Sequence, residues 1–306
     1  MRVDKLGGLT VRLTGGTDGK GGGNGPLVVL LHGFGAPGDD LVPLSEYLDA
    51  PTGTRFLFPE APISIPMGFG DSRAWWMIDM ARIHADRAAG KVRDMSGEIP
   101  RGLTEAREHM KVLLDEIQKK LGADPERTVL GGFSQGAMLS CDALLHSTQP
   151  YAGLIQLSGT LVAKQEWAPL LTKRKGLPLF QSHGTQDPIL PYAMAERLRD
   201  EFLQAGVTVN WQPFRGGHEI PEPVLRKLGS FLLKAVRSAR DGSVYTHRRR
   251  RHNSPWRSCR RQGPPASLHH RVSLQAVGQQ EQGAGAMVSG AGLGLLLLRL
   301  SRLGRL

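Results

Sequence analysis

The sequence predicts an α/β protein, with one doubly wound, mostly parallel sheet in a single domain. Three observations predict it. Apolar, β-branched runs alternate with amphipathic helical segments from residue 27 to 240, the pattern of successive βαβ units. The run Leu27-Val28-Val29-Leu30-Leu31 is apolar without alternation, as in a central parallel strand covered on both faces. Finally, His32-Gly33-Phe34-Gly35, Ser134, Asp187 and His218 all lie at the carboxyl end of a predicted strand, the edge at which open α/β sheets take their ligands.

In chain order, Leu9 to Thr14 alternates and predicts an early edge strand. Gly15 to Gly25 is glycine-rich and predicts a flexible turn before the central strand at 27–31. A helix is expected over about Asp39 to Asp49, with Leu41, Leu44, Tyr47 and Leu48 on one side, then a strand over Thr54 to Pro59. Residues 60–100 form a long irregular connection rich in Pro, Gly, Met and Trp, and such connections inside a compact domain are usually functional. Arg101 to Leu121 predicts a helix, with Met110, Leu113, Leu114, Ile117 and Leu121 on one face. A buried strand over Thr128 to Gly131 and a helix over about 137–146 follow. The remaining strands are expected at 152–158, 177–182 and 207–212, and the remaining helices at 164–174, 193–205 and 220–239. In the last of these Val224, Leu225, Leu228, Phe231 and Leu232 point inward.

The amphipathic pattern ends near Gly242. The organisation expected is therefore a globular domain over 1–242 and a disordered, Arg-rich tail over 243–306. From Asp241 onward the chain carries eleven Arg, no Lys, one Asp and one Glu, leaving 28 basic and 26 acidic residues before it. The domain is close to neutral, so the net charge of +11 gives it no nucleic-acid affinity, whereas the tail could bind polyanions weakly. The apolar run Leu293 to Leu298 is too short to span a membrane. Two cysteines, Cys141 and Cys259, give neither a disulfide framework nor metal spacing. The first residues lack the apolar core of a secretory signal, so a cytoplasmic protein is expected.

Gly132-Phe133-Ser134-Gln135-Gly136 joins a strand to a helix with glycine two positions either side of a serine. This is the pattern of a nucleophile elbow, in which a sharp turn projects the serine above the sheet. Serine is a weak nucleophile and needs a base, itself oriented by an acid. Asp187 and His218 follow in the order expected for such a fold, each after its own strand. His183, four residues before Asp187, competes for the base but breaks that order. An oxyanion formed by attack needs two donors. The backbone N–H groups of Gln135, after the serine, and of Phe34, in the early glycine loop, are the candidates. Taken singly, each motif also fits a plain glycine turn or an ordinary loop residue.

Together, Leu30-Leu31-His32-Gly33-Phe34-Gly35, Gly132-Phe133-Ser134-Gln135-Gly136-Ala137, Ser158-Gly159, His183-Gly184-Thr185-Gln186-Asp187-Pro188 and Gly217-His218-Glu219-Ile220 resemble the phospholipase/carboxylesterase family of α/β-hydrolases. That family includes acyl-protein thioesterases and bacterial carboxylesterases. The resemblance covers about 26–238 and implies an α/β-hydrolase fold with Ser134, Asp187 and His218 as triad and Phe34 and Gln135 as oxyanion hole. It also implies hydrolysis of acyl esters or thioesters, small molecules included, without a cofactor. Residues 61–100 are longer than in the eukaryotic thioesterases and nearer to bacterial esterases, and the tail has no counterpart.

An acyl pocket needs apolar walls. Phe69, Trp75, Trp76, Met77 and Leu161 are the candidate substrate-binding residues, with Met67, Ile78, Met80 and Val162 beside them. The two tryptophans could equally pack the connection onto the body. Arg73 and Arg82 could meet an anionic head group or stay solvated. Two further classes remain open from the sequence: a non-catalytic binding protein on a hydrolase fold, and a polyanion binder acting through the tail.

Overall fold

The computed structural model describes residues 1–66, 71–90 and 94–248. Its main sheet has nine strands. These are β1 (Arg2–Leu6), β2 (Leu9–Gly16), β3 (Lys20–Gly22), β4 (Leu27–Leu31), β5 (Arg55–Pro59), β8 (Thr128–Phe133), β9 (Gly153–Leu157), β10 (Pro178–Gly184) and β11 (Thr208–Phe214). A separate antiparallel pair joins β6 (Ile63–Ile65) to β7 (Ser72–Ala74). The main sheet runs in the order β1-β2-β5-β4-β8-β9-β10-β11, with β3 alongside β2. Every pair from β5–β4 to β10–β11 is parallel, and only β1–β2 and β2–β5 are antiparallel.

Two hydrophobic cores sandwich this sheet. The alternation in β4 feeds both: Leu27, Val29 and Leu31 enter one, Val28 and Leu30 the other. That is why the run needs no polar residue. The first core is closed by α3 (Leu103–Leu121), α4 (Gln135–His146), α5 (Lys164–Leu171) and α6 (Tyr192–Gln204). The second is closed by α1 (Leu44–Tyr47) and α7 (Glu222–Arg248), through Leu44 and through Val224, Leu225, Leu228, Phe231 and Leu232. The chain is therefore doubly wound, as predicted.

Several elements differ from the sequence expectation. Only Leu44–Tyr47 is helical within 39–49. Pro43 lacks an N–H, and the bonds on either side of it span three residues rather than four: Asp40 N–H to Pro37 O, Val42 N–H to Asp39 O, and Leu44 N–H to Leu41 O. The stretch therefore closes as successive turns. β1 adds an antiparallel edge through a two-residue loop at Gly7-Gly8, both with positive φ (58° and 79°), the geometry of a tight hairpin. The 15–25 stretch contains β3, and the 60–100 connection contains β6, β7 and α2 (Met80–Ala88). The last helix runs to Arg248, past the boundary expected at 242, while residues from 249 onward, most of the predicted tail, lie outside the described residues.

Candidate active site

The elbow is built from backbone contacts. Ser134 has φ 54° and ψ −117°, a strained conformation for a residue with a side chain, and it sits between the end of β8 and the first turn of α4. A Cβ on Gly132 would lie 2.5 Å from the Gly136 backbone, and one on Gly136 2.1 Å from Leu31 O. Only glycine lets β8, α4 and the end of β4 approach this closely. Ser134 O accepts from the N–H groups of Ala137 and Met138. This fixes the Ser134–Gln135 peptide plane, and with it the direction of the Gln135 N–H at the positive end of α4.

Two loops bring Asp187 to His218. Thr185 N–H donates to Phe214 O, and Gln186 N–H to Gly216 O (2.8 and 2.9 Å), so the ends of β10 and β11 are stitched together. His218 Nδ1 and Asp187 Oδ2 are 2.7 Å apart. The carboxylate can only accept, so Nδ1 carries the proton and Nε2 is the basic nitrogen. The other oxygen, Asp187 Oδ1, accepts from Ile189 and Leu190 N–H. Burial alone would raise this carboxyl, but its hydrogen bonds from His218, Leu190 and Ile189 prevail and the net shift is downward. Asp187 is therefore an anion facing an imidazole. The ring of Phe133, next to Ser134, packs 4.7 Å from that of His218. Ser134 is half-buried, and its Oγ has no hydrogen-bond partner among the described residues. Bonds of this kind commonly tighten only when substrate is bound.

His183, the competing base, lies against the same Asp187 oxygen that meets His218. It is fully buried, with Nε2 2.8 Å from Leu190 O and 3.3 Å from Asp187 Oδ2. Burial lowers its pKa, so it stays neutral, with its Nε2–H committed to acceptors. It presents no edge to a substrate.

The early glycine loop lies against the serine: a Cβ on Gly33 would stand 3.4 Å from Ser134 Cβ. The N–H groups of Phe34 and Gln135 bond no partner among the described residues. Features that the sequence reading missed hold this loop in place. The His32 ring is buried and neutral; burial depresses its pKa to about 4. Its Nδ1 is 2.8 Å from Gly33 O, and its Nε2 accepts from Ala61 N–H at 3.1 Å. Gly35 N–H donates to Arg73 O, and Arg73 N–H to Ala36 O. The Arg73 guanidinium pairs with Asp71 and Glu60, and Glu60 also bonds Arg12.

Of the candidate pocket residues, Met77 is 56% exposed, whereas Leu161 is buried in the first core. Trp75 and Trp76 are each 2% exposed. The indole Nε1–H of Trp75 donates to His32 O at 3.0 Å, and its backbone N–H to Gln135 Oε1 at 3.0 Å. Gln135 Nε2 donates to Trp76 O at 2.8 Å. Phe69, like Met67, lies outside the described residues. Away from the elbow, Asp142, His146 and Glu166 bring possible metal-ligand atoms within 4.8 Å of one another. Arg107 already bonds both carboxylates there (2.6 Å to Asp142, 3.0 Å to Glu166) and Trp167 Nε1 donates to Asp142, so the group is an ion-pair cluster supporting α4. Among the described residues no helix is long and apolar enough to cross a membrane.

A doubly wound sheet with a serine elbow at the carboxyl edge of its central strands defines an α/β-hydrolase. The chain belongs to the phospholipase/carboxylesterase family, whose family model matches residues 20–236. It is a hydrolase of the ester-cleaving kind. Acyl-protein thioesterase 1 of Kluyveromyces lactis is 30% identical over 223 residues, spanning 69% of this chain and 92% of that protein. The protein of the same name from Candida albicans is 28% identical over 225 residues, spanning 68% and 91%. Among solved structures, esterase PE8 superposes with a TM-score of 0.61 at 26% identity, covering 73% of this chain and 97% of that one. A carboxylesterase from Mesorhizobium loti has the same fold, with a TM-score of 0.60 at 19% identity over 76% and 99% of the two chains.

Proposed function

We propose that this protein is a serine hydrolase that cleaves carboxylic esters or thioesters of small to medium acyl chains through an acyl-enzyme. The observation that carries the reading is the 2.7 Å contact of His218 Nδ1 with Asp187 Oδ2, at the same sheet edge as a serine held at φ 54°. Ser134 Oγ attacks the acyl carbonyl carbon while its proton passes to His218 Nε2. The carbonyl oxygen takes up the displaced electron pair and is met by the N–H groups of Phe34 and Gln135. Collapse expels the alcohol or thiol, which takes the proton from Nε2. Water, deprotonated by the same nitrogen, then releases the acid and restores Ser134. Asp187 stays ionised throughout and holds the imidazole in the tautomer that leaves Nε2 free. No step calls for a metal or cofactor.

The likeness to acyl-protein thioesterase 1 of Kluyveromyces lactis supports including thioesters among the substrates. Phe69, Trp75, Trp76, Met77 and Leu161 are assigned to the acyl side, Met77 being the one of the described residues among these with an exposed side chain. We assign the protein to the cytoplasm, where the free, buried Cys141 thiol suits a reducing environment. A panel of p-nitrophenyl esters from acetate to palmitate, with a matching thioester series, tests the reading. Turnover of at least one series with a maximum at short or medium chains is expected. No turnover on either series, or a maximum at palmitate, would overturn it.

A further inference from the structure

We propose that Trp75, which the sequence suggests either as pocket wall or as packing for the connection, is the positioning residue that fixes the gap between the two oxyanion donors. The proposal rests on the reading above, in which Phe34 and Gln135 supply those donors. Each donor N–H belongs to a peptide unit whose orientation is set elsewhere. The Phe34 N–H shares its plane with Gly33 C=O, and the His32 ring holds Gly33 O through Nδ1 at 2.8 Å. The C=O and N–H of one trans peptide point in opposite directions. Holding Gly33 O toward the imidazole therefore aims the Phe34 N–H away from it.

Trp75 holds His32 twice, by the indole N–H on its carbonyl at 3.0 Å and by ring packing at 5.5 Å between centroids. The same residue reaches the other donor. Its backbone N–H bonds the side chain of Gln135, whose amide also donates to Trp76 O. An amide suits this position because one end accepts and the other donates. His32, Trp75, Trp76 and Gln135 are all essentially buried, so these bonds do not compete with water. One residue thus braces the loop that carries Phe34 and the helix start that carries Gln135. The β4–β8 ladder, paired as far as Leu31 and Gly132, brings the two loops side by side, and beyond it Gly33 and Gly136 let them approach without fixing how their peptides are turned. Trp75 links them, by its indole on the His32 side and by its backbone N–H on the Gln135 side.

The test is Trp75→Phe, which keeps an aromatic ring and the backbone N–H but deletes the indole donor, with Gln135→Met, which keeps the backbone donor and deletes both side-chain bonds. Each is assayed on p-nitrophenyl butyrate and against a trifluoromethyl ketone, whose serine adduct places an oxyanion in the hole. Displacing a donor by a fraction of an ångström to an ångström costs about 10- to 100-fold. Each variant is therefore expected to lose at least about tenfold in kcat with KM within about threefold, and ketone affinity should fall in parallel. The double variant should lose less than the product of the single losses, because both cut one brace. If Trp75→Phe folds poorly, 3-benzothienylalanine at position 75 retains the ring shape without the N–H. Wild-type kcat and ketone affinity in either form would overturn the brace, as would a kcat loss with unchanged ketone affinity. Ser134→Ala, run alongside, separates the two claims: its inactivity leaves the serine reading standing whatever Trp75 does, and its full activity would overturn both.

Discussion

Acidification from pH 7 to pH 5 should destabilise the fold through His32, and the size of the effect can be worked out. Burial lowers the His32 pKa from 6.5 to about 4. Protonation would also set a second N–H against the Ala61 N–H that Nε2 now accepts. A base whose folded pKa lies below its unfolded value binds more protons when unfolded. Its contribution is complete above the unfolded pKa and is lost as pH falls toward the folded one. By linkage, His32 should cost about 2 kcal/mol of stability between pH 7 and pH 5. Burial likewise lowers the pKa of His183, with the same sign. Asp40 opposes them. Burial, aided by Asp39, raises its carboxyl to about 6, so the folded state holds its proton more tightly and gains about 1 kcal/mol over the same interval. The wild-type slope alone therefore hides the effect, and the variants resolve it. Guanidinium unfolding at both pH values should show the destabilisation by His32→Asn shrinking by about 2 kcal/mol at pH 5 relative to pH 7. Asp40→Asn should stabilise more at pH 7 than at pH 5, by about 1 kcal/mol. An unchanged cost of His32→Asn at the two pH values, or an imidazole titrating near 6.5 in nitrogen-15 spectra, would refute the assignment of a buried neutral ring bracing the loop.

Further outcomes follow from other contacts. Asp187→Asn should leave the fold intact and reduce kcat by about 10⁴, read on a soluble ester, because the imidazole loses its orienting charge; a variant with more than a tenth of wild-type rate would contradict this. Arg107→Met should destabilise by about 3–5 kcal/mol in chemical denaturation, since it leaves the fully buried Asp142 carboxylate without its guanidinium partner. A protein ending at Asp241 retains Ala235 and Val236, the last buried side chains described. It should keep its esterase activity and its melting temperature, while affinity for heparin and its salt dependence fall with the loss of eleven Arg. A drop of several degrees in melting temperature would show that the segment supports the fold.

The parallel core was legible because burial on both faces leaves an unmistakable trace: in β4, β8 and β9 nearly every residue is apolar or small. Amphipathic α3 and α7 were legible for the complementary reason, one apolar stripe against one layer. The edges were not. β1 reads Arg2-Val3-Asp4-Lys5-Leu6 and buries only its last residue, so it carries no alternation to detect. The three-residue strands β6 and β7 are too short to show any period. The expected helix at 39–49 had suitable apolar spacing, but Pro43 and three-residue turns decided its backbone. At the site, the strained serine turn and the order of Ser134, Asp187 and His218 could be read from local motifs. The roles of the His32 ring, the Trp75 indole and the Gln135 side chain could not. Each makes a hydrogen bond to backbone far away in sequence, 43 residues in the case of Trp75 and His32 and 29 in that of the His32 ring and Ala61, although the ring also bonds the neighbouring Gly33 O. Such bonds place no demand on a neighbouring residue type, so apolar composition alone left Trp75 as either pocket wall or packing for the connection.

The central claim is that Ser134 is the nucleophile of an ester hydrolase. Its most direct test is stoichiometric reaction with a fluorophosphonate, followed by intact mass and peptide mapping. The mechanism predicts one phosphonyl group per chain, on Ser134, with loss of esterase activity in proportion to labelling. Ser134→Ala should take up no label and turn over at least about 10⁴-fold more slowly. Labelling at another residue, or a Ser134→Ala protein retaining more than a tenth of wild-type turnover, would contradict it.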